Sequence, residues 1–145
     1  MPYILESDRP LFDEDIKLVL KDDTATRKTL VEQGVDINAI GRLTEKIRNN
    51  GDLNYVISKI VWTLFLRNKR YAEADELMND LDEVYDLLLH GGVHSNSLVF
   101  GLYYLCHKSV CKRTAGTVSC IKMEFYRRLV APYEDTAIER NGDII

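Results

Sequence analysis

Apolar residues recur along this chain at three- and four-residue intervals while strict alternation is scarce, so the pattern predicts helices rather than strands. Phe12, Ile16, Val19 and Leu20 share a face of a helix over Leu11–Lys21, with Pro10 at its start and Asp13, Glu14 and Asp15 favouring its first turn. Asp22-Asp23-Thr24 fits the cap of a short helix ending near Gly34. Asp36 fits the cap of the next, in which Ile37, Ile40, Leu43, Thr44 and Ile47 line up, and Asn49-Asn50-Gly51 reads as its stop. The widest apolar face belongs to Leu53, Val56, Ile57, Ile60, Val61, Leu64 and Phe65, which predicts a central core helix from Asp52 to about Arg70. Leu77, Leu81, Val84 and Leu88 mark another helix, closed by Gly91-Gly92. The segment Leu98–Val110 is apolar on nearly every side; Val99, Phe100, Tyr103 and Tyr104 also suit a strand, and the reading adopted is a buried helix. Thr114–Ala131 is helical in pattern, Pro132 interrupts regular hydrogen bonding after it, and a last helical turn over Glu134–Arg140 precedes Asn141-Gly142. The expected fold is an all-α, single-domain bundle of about five to seven helices over residues 1–145, with the tail from about 132 to 145 docked onto it.

Charge changes this picture more than composition does. A chain of 145 residues with 46% apolar content buries one sizeable core, and its net charge of −4 gives no general attraction to DNA or to an acidic membrane surface. That near-balance conceals a segregation. Between Tyr71 and His90 stand seven acids and no Lys or Arg, whereas Gly101 to Arg128 holds six bases against Glu124 alone. The opening MPYILESDRP has acids and a proline where a secretory signal needs a basic start and an apolar stretch, and the longest apolar run, Leu98–Cys106, is too short to span a membrane. A soluble, cytoplasmic chain with Cys106, Cys111 and Cys120 as reduced thiols is expected.

Three blocks carry a resemblance: MPYI with Asp8-Arg9-Pro10, GDLNYVISKI at Gly51–Ile60, and EFYRRLVAPYED followed by Asn141-Gly142-Asp143. In these the chain resembles a family of short, functionally uncharacterised proteins found in bacteria and their phages. The resemblance brackets almost the whole chain and implies an all-α fold with a shared use for the blocks, but no activity to transfer. If the chain is phage-encoded, it implies work in the cytoplasm of a bacterial host, and a sponge that blocks a nucleotide-signalling defence is one such use. Lys21–Gly34 and the stretch around His90–Lys112 look like additions relative to shorter members.

The candidate site gathers Asn54, Tyr55 and Lys59 with Arg127, Arg128, Tyr133, Glu134, Asp135, Asn141 and Asp143. Guanidinium suits phosphate and tyrosine suits a stacked base, so these residues fit a pocket for a small anionic or nucleotide-like ligand. The structural alternative pairs Arg127 or Arg128 with Glu134, Asp135 or Asp143 and clasps the tail to the bundle, one arginine packing inward. A non-enzymatic binding protein that sequesters such a ligand is therefore expected, with homo-oligomerisation left open. Two other readings rest on the acidic helix. Its charges suit a protein-interaction surface for a basic partner. Its Glu73, Glu76, Asp80 and Glu83 share a face similar to the Mg²⁺ sites of all-α nucleotide pyrophosphatases, although a solvated surface explains such a run as well. No cofactor or metal is expected: GxxxxGK[ST], GxGxxG, a nucleophile elbow and HExxH do not occur, Gly91-Gly92 separates His90 from His94, and Cys106, His107 and Cys111 lack the second close pair of a zinc site.

Overall fold

A computed structural model describes residues 4–19, 36–68, 71–108 and 114–142, with side chains at all of these except 67, 68, 71–73, 130, 133 and 134. A 3₁₀ turn at Glu6–Asp8 leads into α1 (Pro10–Val19), and α2 (Ile37–Lys46), α3 (Asn50–Asn68), α4 (Tyr71–His90), α5 (Ser97–Lys108) and α6 (Ala115–Phe125) follow. A π-helical turn at Tyr126–Val130 joins α6 to α7 (Ala131–Asn141). The described residues form an all-α bundle without strands, as the periodicity predicts. The helix expected between Asp22 and Gly34 lies outside them.

Helix α3 is the central element and packs against α1, α4, α5 and α6. Leu53, Val56, Ile57, Ile60 and Leu64 are fully buried, and the polar neighbours Asp52, Asn54 and Ser58 are buried with them. A helix enclosed this completely must satisfy its polar groups internally. At its start Asn49 does so: its side-chain oxygen accepts from the Asp52 N–H at 2.9 Å, and its carbonyl accepts from the Leu53 N–H. The Asp52 carboxylate in turn accepts from the Arg48 backbone N–H and from two guanidinium nitrogens of Arg48. Asn49 thus caps the start of α3, and Asp52 fastens the residue that precedes the cap. Asn49-Asn50-Gly51 therefore starts α3 instead of stopping α2, which already ends at Lys46.

Helices α1 and α2 are clamped by one buried carboxylate. Pro10 occupies the first position of α1, where a missing N–H has no consequence, and Asp36 caps α2 by accepting from the Asn38 and Ala39 N–H groups. From α2, Arg42 and Lys46 reach Asp15 of α1 at 2.9 and 2.7 Å. Burial alone would raise the Asp15 carboxyl, but the bonds from Lys46 and Arg42 outweigh it and hold it below its ordinary value.

The acidic helix α4 buries Ala74, Leu77, Leu81 and Val84 and ends where Gly91 and Gly92 take φ of +73° and +133°, a conformation that L side chains avoid. The chain then folds back onto α4. The Ser95 N–H donates to Glu83 at 2.8 Å, and the Asn96 amide donates to Asp80 at 3.2 Å while its oxygen caps α5 at the Val99 N–H. Two of the acids that the sequence suggests are solvated thus fasten the α4–α5 connection. Asp80 is half-buried, and desolvation, reinforced by Glu83 and Glu76 and opposed by the Asn96 bond, pushes its carboxyl up to about 6.

Two outcomes follow for stability. Ile60→Ala removes a fully buried side chain beside Leu64 and Ile57 and is expected to cost about 2 to 5 kcal/mol in denaturant unfolding, with the helical circular-dichroism signature retained below the transition. The raised Asp80 carboxyl favours the protonated form in the folded state, so its contribution is fully present below its ordinary value of 3.8 and is lost as pH rises through about 6. The stability difference between the native chain and Asp80→Asn is expected to shift in favour of the native chain as pH falls from 7 to about 4; paired urea titrations across that interval that ran parallel would remove the assignment.

Candidate functional site

One stripe of α3 reaches the surface beside α1 and the π-helical turn. Tyr55, Ser58, Lys59 and Trp62 stand at i, i+3, i+4 and i+7, the spacing that aligns side chains along a helix. They line a cleft of about 400 Å³ whose remaining walls are Arg9, from the turn before α1, and Arg128, from the π-helical turn. Three cations from three separate elements thus face one concavity with two aromatic rings and a hydroxyl.

Each wall is fixed by its own chemistry. The Arg9 carbonyl accepts from the Phe12 and Asp13 N–H groups and so begins α1, which places the side chain beside α3. Its guanidinium lies 5.4 Å from the centre of the Tyr55 ring, a cation–π contact, and its Nε is buried without a hydrogen-bond partner. The Tyr55 ring packs at a tilt against Phe12, and its hydroxyl donates to Asp13 of α1. Burial, then the Asp13 bond and charge, push the Tyr55 phenol well above its ordinary value. Trp62 stands edge-on to Phe125 of α6 at 5.0 Å and to Phe65 at 6.0 Å, with the side chain half-buried. The Ser58 hydroxyl donates to the side-chain amide oxygen of Asn54 at 3.0 Å. Lys59 is exposed and forms no ion pair with a described residue.

The approach of Arg128 follows from a break in helical geometry. Pro132 has no N–H, so the Arg128 carbonyl cannot be bonded in the α pattern. The break expected at Pro132 takes the form of a wider turn just before it, in which the Ala131 N–H donates to the Tyr126 carbonyl, and the helix then resumes as α7. Glu124 sits one turn earlier and accepts from both arginines, from Arg128 at 2.7 Å and from two nitrogens of Arg127. The hydrogen bonds from Arg127 and Arg128 pull its carboxyl down to about 2. Neither arginine packs inward, contrary to expectation: the side chains are 66% and 49% exposed and share an acid on their own helix.

Of the residues singled out in the sequence, the structure brings Tyr55, Lys59 and Arg128 to the cleft. Asn54 is turned inward to Ser58, and Arg127 is held at Glu124. Asp135 and Asn141 are exposed on α7, while Asp143 and the side chains of Tyr133 and Glu134 lie outside the described residues. Sequence reasoning missed Arg9, Ser58 and Trp62. The stripe spacing from Tyr55 was legible and would have found Ser58 and Trp62; Arg9 was marked only by its place in the Asp8-Arg9-Pro10 block of the resemblance.

Among the described residues no group of three or more His, Cys, Asp or Glu side chains is arranged to hold a metal ion. His94 packs instead between Phe100 and Tyr103, with ring centres 5.0 and 5.2 Å away. Cys106 is buried, Cys120 is exposed and Cys111 lies outside the described residues. No described helix is long and apolar enough to cross a membrane.

No curated protein and no solved structure matches the chain. A family match covers residues 1–86 and 104–144. It runs through residues 21–34, the first of the two stretches read as additions, without interruption, and it breaks at 87–103, which overlaps the first part of the second. All six residues of the cleft fall inside the matched segments. On that coverage the chain belongs to the family described as a domain of unknown function, DUF6899.

Proposed function

We propose that the cleft between the turn before α1, helix α3 and the π-helical turn binds a small anionic ligand of nucleotide-like chemistry, and that the protein sequesters it. The observation that carries this reading is the convergence of Arg9, Lys59 and Arg128 on one 400 Å³ concavity alongside Tyr55 and Trp62. Like charges drawn together from three elements repel one another, and an anion between them relieves that cost. The buried, unpartnered Nε of Arg9 is a donor that an acceptor oxygen would satisfy. Arg128 and Lys59 are exposed enough to close on a phosphate, and Trp62 offers a ring on which a base can stack.

Binding without turnover is favoured by the state of the two hydroxyls. The Tyr55 phenol is committed to Asp13 and its ionisation is disfavoured, and the Ser58 hydroxyl is committed to Asn54 with no base beside it. These groups shape and orient.

Trp62 is the chain's single tryptophan, so its emission reports on the cleft directly. Titration with nucleoside mono- and triphosphates and with inorganic pyrophosphate is expected to change that emission for at least one nucleotide, with pyrophosphate binding more weakly because it lacks a ring. Lys59→Ala and Arg128→Ala are each expected to weaken binding by about tenfold or more, the loss of a charge-assisted hydrogen bond, with melting temperatures close to native. Emission unchanged by every member of the series, with no heat in calorimetry, would remove the proposal; so would recovery of the nucleotide in cleaved form.

A further inference from the structure

Helices α4 and α6 pack together along their inner sides but leave a groove of about 600 Å³ at the surface. Its floor is the buried Leu81 and Val118, and its walls are Met78 and Tyr85 from α4 and Met123 and Tyr126 from α6 and the turn after it. Met123 is 67% exposed, although a thioether of this size on a helix beside a core ordinarily finds cover. Two flexible methionines and two rings with polar tips make an adaptable apolar surface, the composition used by grooves that take up an amphipathic helix.

The two edges of the groove differ in charge. Along the outer edge of α4 run Asp75, Asp82 and Asp86, all exposed, on a helix with no Lys or Arg. The α6 wall contributes Lys122, which crosses the groove to Asp82 at 2.6 Å. A second copy of this chain seated groove to groove would set the aspartates either against aspartates or against α6, whose single lysine, Lys122, already holds Asp82, so neither pairing answers the acidic edge as a basic helix does.

We propose that this groove docks an amphipathic helix of a partner protein, apolar on the face that enters it and basic along the edge that meets α4. An apolar stripe at i, i+3, i+4 and i+7 would seat among Met78, Tyr85, Met123 and Tyr126, and Lys or Arg side chains on one flank would meet Asp75 and Asp86. A basic residue at the centre of that flank takes the place of Lys122 on Asp82. The site shares no residue with the cleft.

The test uses the full chain and a fluorescein-labelled helical peptide with leucines at the four stripe positions and lysines along one flank. Two comparators keep its length: one exchanges lysine for glutamate, the other keeps the composition and scrambles the stripe. Fluorescence anisotropy is expected to show the first peptide binding at least about tenfold more tightly than either comparator, with affinity falling as salt is raised. Asp75→Lys with Asp86→Lys is expected to weaken it by about tenfold. Met123→Asp separates groove docking from mere charge attraction. It adds an acid, so adventitious attraction of a basic peptide would strengthen, whereas docking on the apolar wall is expected to weaken by about tenfold. Met123→Ser serves the same purpose if the aspartate variant melts lower than native. Equal binding of the scrambled peptide overturns the proposal, as does undiminished binding to both Met123 variants. A native dimer in sedimentation that Met123→Asp converts to monomer would assign the groove to self-association and overturn it too.

Discussion

The near-complete enclosure of helix α3 is the constraint from which the rest of this structure follows. From Asp52 to Ser58 every residue is buried, including four with polar side-chain atoms. Apolar burial favours such a helix through Leu53, Ile57, Ile60 and Leu64, but the buried polar groups would cancel much of that gain if left unpartnered. Each one has a partner. Asp52 is held by Arg48, Asn54 takes the Ser58 hydroxyl, and Tyr55 donates to Asp13. The last of these also sets the position of α1 against α3, and α1 is tied through Asp15 to α2. The polar requirements of one buried helix thereby reach the placement of its neighbours. Where enclosure ends, at Lys59 and Trp62, the surface opens into the cleft.

The π-helical turn is the second determinant. Tyr126 and Arg128 are two positions apart, and residues so spaced on a helix point to nearly opposite sides. Tyr126 accordingly lines the groove against α4 while Arg128 lines the cleft against α3. A short irregular segment contributes to both the groove and the cleft, as π-type turns commonly do at functional surfaces. Its irregularity traces to Pro132, which withholds the hydrogen bond that a regular helix would have made to Arg128. Glu124 steadies the segment by binding both arginines from the preceding turn.

Much of the fold was legible because helical periodicity is a local property of sequence. The apolar stripe of α3, the Asp36 cap and the glycine pair after α4 all serve in the structure as their spacing implies. Even Leu98–Val110, where Val99, Phe100, Tyr103 and Tyr104 would suit a strand, is helical as far as Lys108: its buried face is Leu98, Val99, Gly101, Leu102, Leu105 and Cys106, and no partner strand exists among the described residues. Boundaries were harder. Asn-Asn-Gly suits a stop and a start equally, and the decision came from Asp52 three residues after Asn49, a relation visible as a capping pair only once α2 is known to end at Lys46. The site was legible in part for a similar reason. Tyr55, Lys59 and Arg128 announced chemistry through residue type, whereas Arg9 is separated from them by many positions and joins them only through the packing of α1 on α3. The pairing of Glu124 with Arg127 and Arg128, by contrast, lies at i+3 and i+4 and could have been read directly.

A net charge of −4 describes neither of the surfaces that matter. The cleft collects Arg9, Lys59 and Arg128, with Glu124 beside it already committed to arginines; the groove edge on α4 presents Asp75, Asp82 and Asp86. An anion that enters the cleft meets cations held near one another by the fold, and those charges gain most where water is partly excluded, beside Tyr55 and Trp62. The aspartates of α4 stay solvated at the rim, where they select and orient more than they bind, and the apolar walls between Met78 and Tyr126 must supply the affinity. Opposite charge and opposite solvation thus suit the two surfaces to the occupants proposed for them, a small anion and a basic helix, on a scaffold whose buried centre is common to both.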